Sequence, residues 1–332
     1  MSIMKPKLPT RSKVVAARKR IRGHVDVTPV LRSDALDEMA GAKLLIKAEC
    51  LQQTGSFKLR GATNRLLRIP ESRRAAGVVA FSSGNHAQGI ARAANKLGMP
   101  ALIVMPSDAP TVKVEGVEAD GGIVHFYDRE TQVRELIAAE IAERRGATLV
   151  PSFDDPDIIA GQGTCGLEFA EQVKAMGEQM SDLICCAGGG GLISGICLGI
   201  SGLSKATRVW TAEPEGHDDW ARSLAEGSVQ SNAPGTRSVC DAILTREPGA
   251  YTWAIGSKYL SGGCVVSDQH AFEAMRLAFR HLNLVLEPGG AVALASALFR
   301  LPEAAKGRTV GVVLTGGNVE SRLFADVLRR AV

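Results

Sequence analysis

The chain has 332 residues, 45% of them hydrophobic and 22% charged, with a formal net charge of +4. At ~150 residues per domain this is two domains' worth of folded globular protein, which excludes disordered, collagenous and coiled-coil chains. No run approaches the ~18 uncharged apolar residues of a membrane span, and no apolar segment follows the basic start MSIMKPKLPTRSK, so neither a transmembrane helix nor a secretory signal is expected.

Beta-rich runs alternate with helical ones along the chain. Leu44 to Ile46 reads as a strand, and a lysine-bearing turn and helix start follow at Thr54 to Ala62. Val78 to Ala80 is a strand and Asn85 to Leu97 a helix; Ala101 to Met105 and Ile123 to Phe126 are strands, and Thr131 to Arg145 a helix. The strand Asp182 to Cys186 feeds the helix Gly191 to Leu203, and Arg208 to Thr211 is the next strand. His270 to His281 is a helix, Thr309 to Leu314 a strand, and Val319 to Arg330 a closing helix. Such alternation implies βαβ units and mainly parallel sheets. With no repeat and no Pro/Gly/Ser linker, two domains have to be interleaved by chain crossings. In open α/β sheets, ligands bind at the strand carboxyl ends, where much of the glycine falls here.

Seven cysteines without C-x-x-C spacing read as buried, reduced thiols of a cytoplasmic protein. The six histidines are scattered and no H-E-x-x-H occurs, so no zinc site is expected. The basic segments Arg18 to Arg22 and Arg73-Arg74 lack interleaved aromatic residues and read as solvated helix faces, not as a nucleic-acid surface.

Three strand-to-helix turns carry chemistry. In Thr54-Gly55-Ser56-Phe57-Lys58-Leu59-Arg60, a lysine opens a helix. A helix N-terminus disfavours a cation and lowers its pKa, and such a lysine is a nucleophile for carbonyls. An exposed first-turn lysine is the plainer reading of that position alone. In Ala187-Gly188-Gly189-Gly190-Gly191-Leu192, successive glycines let backbone N–H groups approach an anion at a helix start, which makes a phosphate cradle. It is neither a Walker A loop nor G-x-G-x-x-G. Ser82-Ser83-Gly84-Asn85-His86 gathers hydroxyls, an amide and helix-start N–H groups that suit a carboxylate, although a simple serine cap is the plainer alternative. A reactive lysine, a phosphate cradle and a carboxylate pocket together point to pyridoxal 5′-phosphate.

The sequence resembles the fold-type II pyridoxal-phosphate enzymes, in the branch of serine/threonine dehydratases and serine racemases. The resemblance rests on KAECLQQTGSFKLRGATN (47–64), SSGNHAQGIA (82–91), MPSDAPTVKV (105–114), FDDPDIIAGQGT (153–164), AGGGGLISGI (187–196), AEPEG (212–216), LEPGGA (286–291) and LTGGN (314–318). It implies an α/β fold of two interleaved open-sheet domains of the tryptophan synthase β-like class. Residues 1–78 and 157–332 would form the large cofactor-binding domain, and 79–156 a small mobile substrate domain. The implied activity is elimination from a β-hydroxy amino acid such as L-threonine, L-serine or 3-hydroxyaspartate, giving a 2-oxo acid and ammonia. A serine or aspartate racemase with side dehydratase activity is the alternative.

Carried over by residue, the resemblance makes Lys58 the cofactor-bearing base and Ser83 a hydroxyl on the opposite face. Phe57 packs beside the lysine, Asn85 meets the ring's phenolic oxygen, and Gly188, Gly189, Gly190, Gly191 and Leu192 hold the phosphate. Thr315 sits against the pyridine nitrogen and Glu287 near the ring edge. Ser82, Ser83 and His86 contact the substrate carboxylate, and Arg134 stands at the site mouth, where it would grip a second carboxylate. Because threonine is neutral, it cannot hold the ring nitrogen protonated as an aspartate would, which favours prompt loss of a leaving group over transamination. Glu213, the His217 carbonyl and Asp219 are expected to bind Mg²⁺ or Ca²⁺, cations that want oxygen ligands. A homodimer is implied, with no nucleic-acid or membrane partner. The sequence departs from the family at Val239-Cys240-Asp241-Ala242 and at Pro151-Ser152. A nicotinamide-dependent oxidoreductase is the rival from another class. Gly161-Gln162-Gly163-Thr164-Cys165-Gly166 fits its G-x-G-x-x-G letters, but no strand is expected before it. A non-catalytic cofactor-binding protein is a further rival, which would be expected to lack Lys58 or the Ser83-Gly84-Asn85 turn.

Overall fold

Ten strands form among the residues described, 8–109, 111–203 and 206–329, of this computed structural model. The start of the basic N-terminal segment and Arg330, the expected end of the last helix, lie outside the described residues. The strands are β1 (Val30–Leu31), β2 (Lys43–Ala48), β3 (Val78–Phe81), β4 (Ala101–Pro106), β5 (Ile123–Tyr127), β6 (Thr148–Leu149), β7 (Asp182–Cys186), β8 (Arg208–Pro214), β9 (Leu260–Val266) and β10 (Thr309–Leu314). One sheet has six strands in the order β1-β2-β10-β7-β8-β9, and the other has four in the order β5-β4-β3-β6. Apart from the antiparallel β1, every pairing is parallel. The chain lays down β1 and β2, leaves for the smaller sheet, and returns, so the two sheets are interleaved as expected.

The period of two along the strands sorts side chains onto two faces. Leu44 and Ile46 of β2, with Ile184 of β7 and Val312 of β10, enter one core; Leu45, Leu183 and Val313 enter another on the opposite face. Helices therefore cover both faces of the large sheet, as parallel sheets require. Pro288–Phe299 and Asp268–Leu282 lie on the first face, Pro156–Ala175 and Gly191–Ile200 on the second.

The helix Pro156–Ala175 accounts for the G-x-G-x-x-G letters. Asp155 caps its start by accepting the N–H groups of Asp157 and Ile158. A Cβ at Gly161 would lie 2.7 Å from the Gly61 Cα, one at Gly163 2.5 Å from the Gly195 carbonyl oxygen, and one at Gly166 2.8 Å from the Ile196 Cα. These glycines let three helices touch backbone to backbone. They sit inside the helix, past its first turn, and not in a turn that joins a strand to a helix, so they form no dinucleotide turn.

Behind the helix Lys58–Leu67 lies a buried ion network. The Arg60 guanidinium donates to Glu49 at 2.7 Å and to Glu168 at 2.9 Å, and Lys47 donates to Glu168 at 2.6 Å. The guanidinium beside it holds the Glu49 carboxyl below its ordinary range despite the opposing effect of burial. Opening such a pair would strand a buried charge, at a cost of about 3–5 kcal/mol. The network therefore fixes the helix whose first residue is Lys58.

Candidate active site

The three expected turns follow β2, β3 and β7 and, with the segment after β10, open at strand carboxyl ends into one cleft. Lys58, the Ser82–His86 turn, the glycine loop, Glu287, Thr315 and Arg134 all line it.

Lys58 is the first residue of its helix, and its Nζ donates to the Ser152 carbonyl at 3.2 Å. Burial of the amine pushes it down to about 8, against the opposing fields of Cys186 and Glu287. Loss of water on burial is the largest cause of the shift. The Phe57 ring centroid lies 5.2 Å from Nζ.

The glycine loop is shaped by close approach. The Gly188 carbonyl accepts from the Trp220 indole N–H at 2.7 Å, and the Gly189 carbonyl accepts from the Thr252 hydroxyl at 2.7 Å. In a trans peptide the next N–H points the other way, so these bonds turn the N–H groups of Gly189 and Gly190 away from Trp220 and Thr252. Side chains would not fit. A Cβ would meet the Phe153 ring at 2.4 Å from Gly189 and the Trp220 ring at 2.1 Å from Gly190, where φ is +88°.

Asn85 begins the helix Asn85–Lys96, and its Nδ2 donates to the Glu287 Oε1 at 2.5 Å. Its Oδ1 accepts from Asn318 Nδ2 at 2.8 Å. Glu287 precedes the helix Pro288–Phe299, and its Oε2 is buried without a partner. Burial pushes the Glu287 carboxyl up to about 7, opposed by Lys113, Asn85 and Lys58.

His86 Nε2 lies 3.2 Å from the Val150 carbonyl, which can only accept, so Nε2 carries the proton. Burial, helped by the Lys58 charge, pushes the imidazole down to about 3. The neutral ring then has no N–H to spare for a carboxylate, and Nδ1 is buried and unpartnered. What His86 offers an anion is its main-chain N–H in the first helical turn. The Ser82 hydroxyl accepts from the Gly84 N–H at 3.2 Å, and Ser83 faces the cleft beside it.

Thr315 follows β10, with its hydroxyl 3.2 Å from the Cys186 Sγ. Arg134 opens the helix Arg134–Arg145; its Nε donates to Glu135 at 2.9 Å and its guanidinium carbon lies 5.5 Å from the Phe81 ring centroid. Two charged residues were not singled out for the site from sequence: Lys113, whose Nζ donates to Asp241 at 2.5 Å, and Asp241 itself. Lys113 stands inside the quoted segment MPSDAPTVKV, and that was its one signal.

Away from the cleft, Glu213 ends in a helix cap: its carboxylate accepts the N–H groups of Trp220 and Ala221, each at 2.8 Å. Asp219 accepts from Asn232 at 2.6 Å, and its Oδ2 is buried without a partner. Burial raises both carboxyls, Glu213 further through the Asp219 charge and Asp219 up to about 7. Among the described residues, no group of three or more His, Cys, Asp or Glu side chains is arranged to hold a metal ion.

The residues fit pyridoxal phosphate: a lowered lysine shares the cleft with a loop whose positions admit only glycine against Phe153 and Trp220, and buried polar atoms on Glu287 and His86 are left unpartnered. The family profile described as "Pyridoxal-phosphate dependent enzyme" matches residues 21–316. The chain is 44% identical over 317 residues to an L-threo-3-hydroxyaspartate ammonia-lyase from Pseudomonas sp, covering 95% of this chain and 97% of that protein. It is 38% identical over 322 residues to a serine racemase from Schizosaccharomyces pombe, covering 97% and 98%. The solved structure of maize serine racemase superposes with a TM-score of 0.91 at 35% identity, covering 96% of this chain and 97% of that one.

Proposed function

The chain belongs to the pyridoxal-phosphate dependent enzyme family, as an ammonia-lyase acting on small amino acids, and we propose that its substrate is a β-hydroxy dicarboxylic amino acid, 3-hydroxyaspartate. The products are the matching 2-oxo acid and ammonia: water leaves in the elimination and is returned in hydrolysis. The observation that carries this reading is the convergence of Lys58, the glycine cradle and the Ser82–His86 turn on a cleft that also holds Lys113 and Arg134.

When bound, the cofactor supplies an electron sink for the α-carbon. The chain's own residues do the rest. Lys58, desolvated and lowered to about 8, is suited to hold the cofactor and to take a proton near neutral pH. The N–H groups opening the helix Asn85–Lys96 are suited to the α-carboxylate. Thr315 brings a neutral hydroxyl, in contact with the Cys186 sulfur, to the end of β10. Asn85 and Glu287 are placed to orient the ring edge. The test is to assay the holoenzyme with L-threo-3-hydroxyaspartate, L-serine and L-threonine, reading 2-oxo acid. The dicarboxylic substrate should give the highest kcat/KM, and no product from any of the three would refute the reading.

A racemase activity is the second reading, favoured by Ser83 in the cleft and by the similarity to serine racemases. Ser83→Ala should depress racemisation more than elimination; equal loss of both would remove the second-base role.

The same reading assigns Mg²⁺ or Ca²⁺ to Glu213, the His217 carbonyl and Asp219, supported by two raised, buried carboxyls and the unpartnered Asp219 Oδ2. The cation would give the loop structural support, with no part in bond breaking. It also takes residues 79–156 as a small mobile unit closing on the rest, the enzyme as a homodimer, and the cytoplasm as its compartment. Seven free, buried cysteines are consistent with a reducing environment. Among the described residues, no helix is long and apolar enough to cross a membrane.

A further inference from the structure

Lys113 lies on the helix Thr111–Ala119, carried by the four-stranded sheet; Asp241 lies in the short turn Asp241–Ile243, carried by the six-stranded one. They are 128 positions apart and meet at 2.5 Å on the wall of the cleft. We propose that Lys113 is the residue that holds the second carboxylate of a dicarboxylic substrate, with Asp241 as the counter-ion exchanged on binding. This rests on the reading of the substrate class given above and names the residue that enforces it.

Burial is unequal across the pair. The Lys113 side chain is 6% exposed and that of Asp241 is 53% exposed. The cation is therefore the fixed member and the carboxylate the replaceable one. A buried ammonium needs an anion, because a charge withdrawn from water and left unpaired is strongly disfavoured. A substrate that brings its own carboxylate can release Asp241 to water with no charge left uncompensated. Serine and threonine bring none, so they must either leave the ion pair intact or forgo the contact. The preference for a dicarboxylate is then the margin by which the substrate's own carboxylate, held in the cleft, outdoes the half-exposed Asp241.

Position supports the assignment. A Cβ placed on Gly84 would lie 3.9 Å from Lys113 Nζ, so the ammonium borders the turn suited to the α-carboxylate. Arg134 is less suited to fix a carboxylate: its side chain is 46% exposed and already engaged with Glu135. Its place is the mouth, where it can attract a dianion without gripping it.

The probes are L-aspartate, which has the second carboxylate but no hydroxyl to expel, and L-alanine, which lacks both. Calorimetric Kd values are measured on the holoenzymes of the wild type, Lys113→Met, Lys113→Arg and Asp241→Asn. Lys113→Met should weaken aspartate about 10- to 100-fold, the loss of one charge-assisted contact, and leave alanine little changed. Lys113→Arg should keep part of the preference for aspartate. Asp241→Asn should tighten aspartate, because the competing anion is gone. If Lys113→Met weakens both ligands equally, the pair is only a latch between the two sheets and the inference falls. It falls also if Asp241→Asn weakens aspartate. These binding results stand apart from the assay of 2-oxo acid, so a protein that prefers aspartate through Lys113 yet eliminates nothing would sink the proposed function and spare this inference.

Discussion

Asn85 and Glu287, 202 positions apart, meet in the cleft, where the Asn85 amide donates to a carboxylate that, among the described residues, has no cation in direct contact. The bond ties the helix behind β3 to the helix before β10. A buried carboxylate with one neutral donor is a destabilising feature, and its raised pKa records the cost.

The sign of that cost gives a pH test. Glu287 is raised from the ordinary carboxylate value of 4.5 to about 7, so across that window the folded protein holds a proton that the unfolded chain has lost. Stability from this group is present below the unfolded value and is lost as pH rises through about 7. Glu287→Gln in the cofactor-free protein should therefore raise Tm over wild type, and by more at pH ~8 than at pH ~5. A Tm difference that does not change with pH would show that Glu287 does not titrate in this window.

Gly190 tests the cradle. At φ +88° any other residue is strained by about 1–2 kcal/mol, and here the new Cβ would also lie 2.1 Å from the Trp220 ring. Gly190→Ala should lower Tm and weaken cofactor binding, read by titrating pyridoxal phosphate into the apoprotein. Gly307→Ala is the control: its φ is +68° but nothing stands within 4 Å, so it should cost stability without affecting the cofactor. Equal effects on cofactor affinity would mean that the loop does not hold the phosphate.

Most of the fold is legible in the sequence because the strands of both sheets are short apolar runs between turn signals. β9 is hidden by Gly262-Gly263, which break its alternation, and β1 and β6 are two residues long, too short to pattern. The helix Pro156–Ala175 is obscured by Gly161, Gly163 and Gly166, which look like a loop until the helices they touch are in place. In the site, Lys58 and the tetraglycine carry local signals: a turn before a helix, and four successive glycines at a helix start. Lys113 and Asp241 carry no turn or glycine signal, only a place in segments compared with the family. A lone lysine within a short helix has no pattern, and only the crossing of two sheets brings it to a carboxylate 128 positions away. The cause of the Lys58 shift was hidden too, because desolvation depends on the walls of a cleft that sequence does not display.

Lys58 itself gives a kinetic prediction. Its amine is lowered from 10.5 to about 8, so the nucleophilic free base fills in as pH rises through about 8, well below an ordinary lysine. The rate at which apoprotein captures pyridoxal phosphate, followed by absorbance, should rise with pH and level off above that point. An inflection near the ordinary value would show that the amine is solvated. Borohydride should fix the cofactor at residue 58, and Lys58→Ala should cut 2-oxo acid formation by at least the ~10²–10⁴-fold that proton transfer alone supplies. A label on Lys47 or Lys113 would overturn the assignment.

The cation site makes the last prediction. Glu213 and Asp219 stand six residues apart in sequence, at the end of β8 and the start of the helix Asp219–Glu226. Glu213 already caps that helix through Trp220 and Ala221, and Trp220 in turn holds the Gly188 carbonyl. Support given to this loop therefore reaches the phosphate cradle through a single side chain. A cation bound to the folded state at a hundredfold excess over its Kd adds about 2.7 kcal/mol, enough to shift Tm by several degrees. Exhaustive EDTA treatment should lower Tm and cofactor affinity together, and Mg²⁺ or Ca²⁺ should restore both. Asp219→Asn should remove the response to either ion, and Trp220→Phe, which loses the indole N–H, should keep the Tm response while uncoupling it from cofactor affinity. A full metal response in Asp219→Asn would place the cation elsewhere. No response in the wild type would leave Glu213 as a helix cap and nothing more.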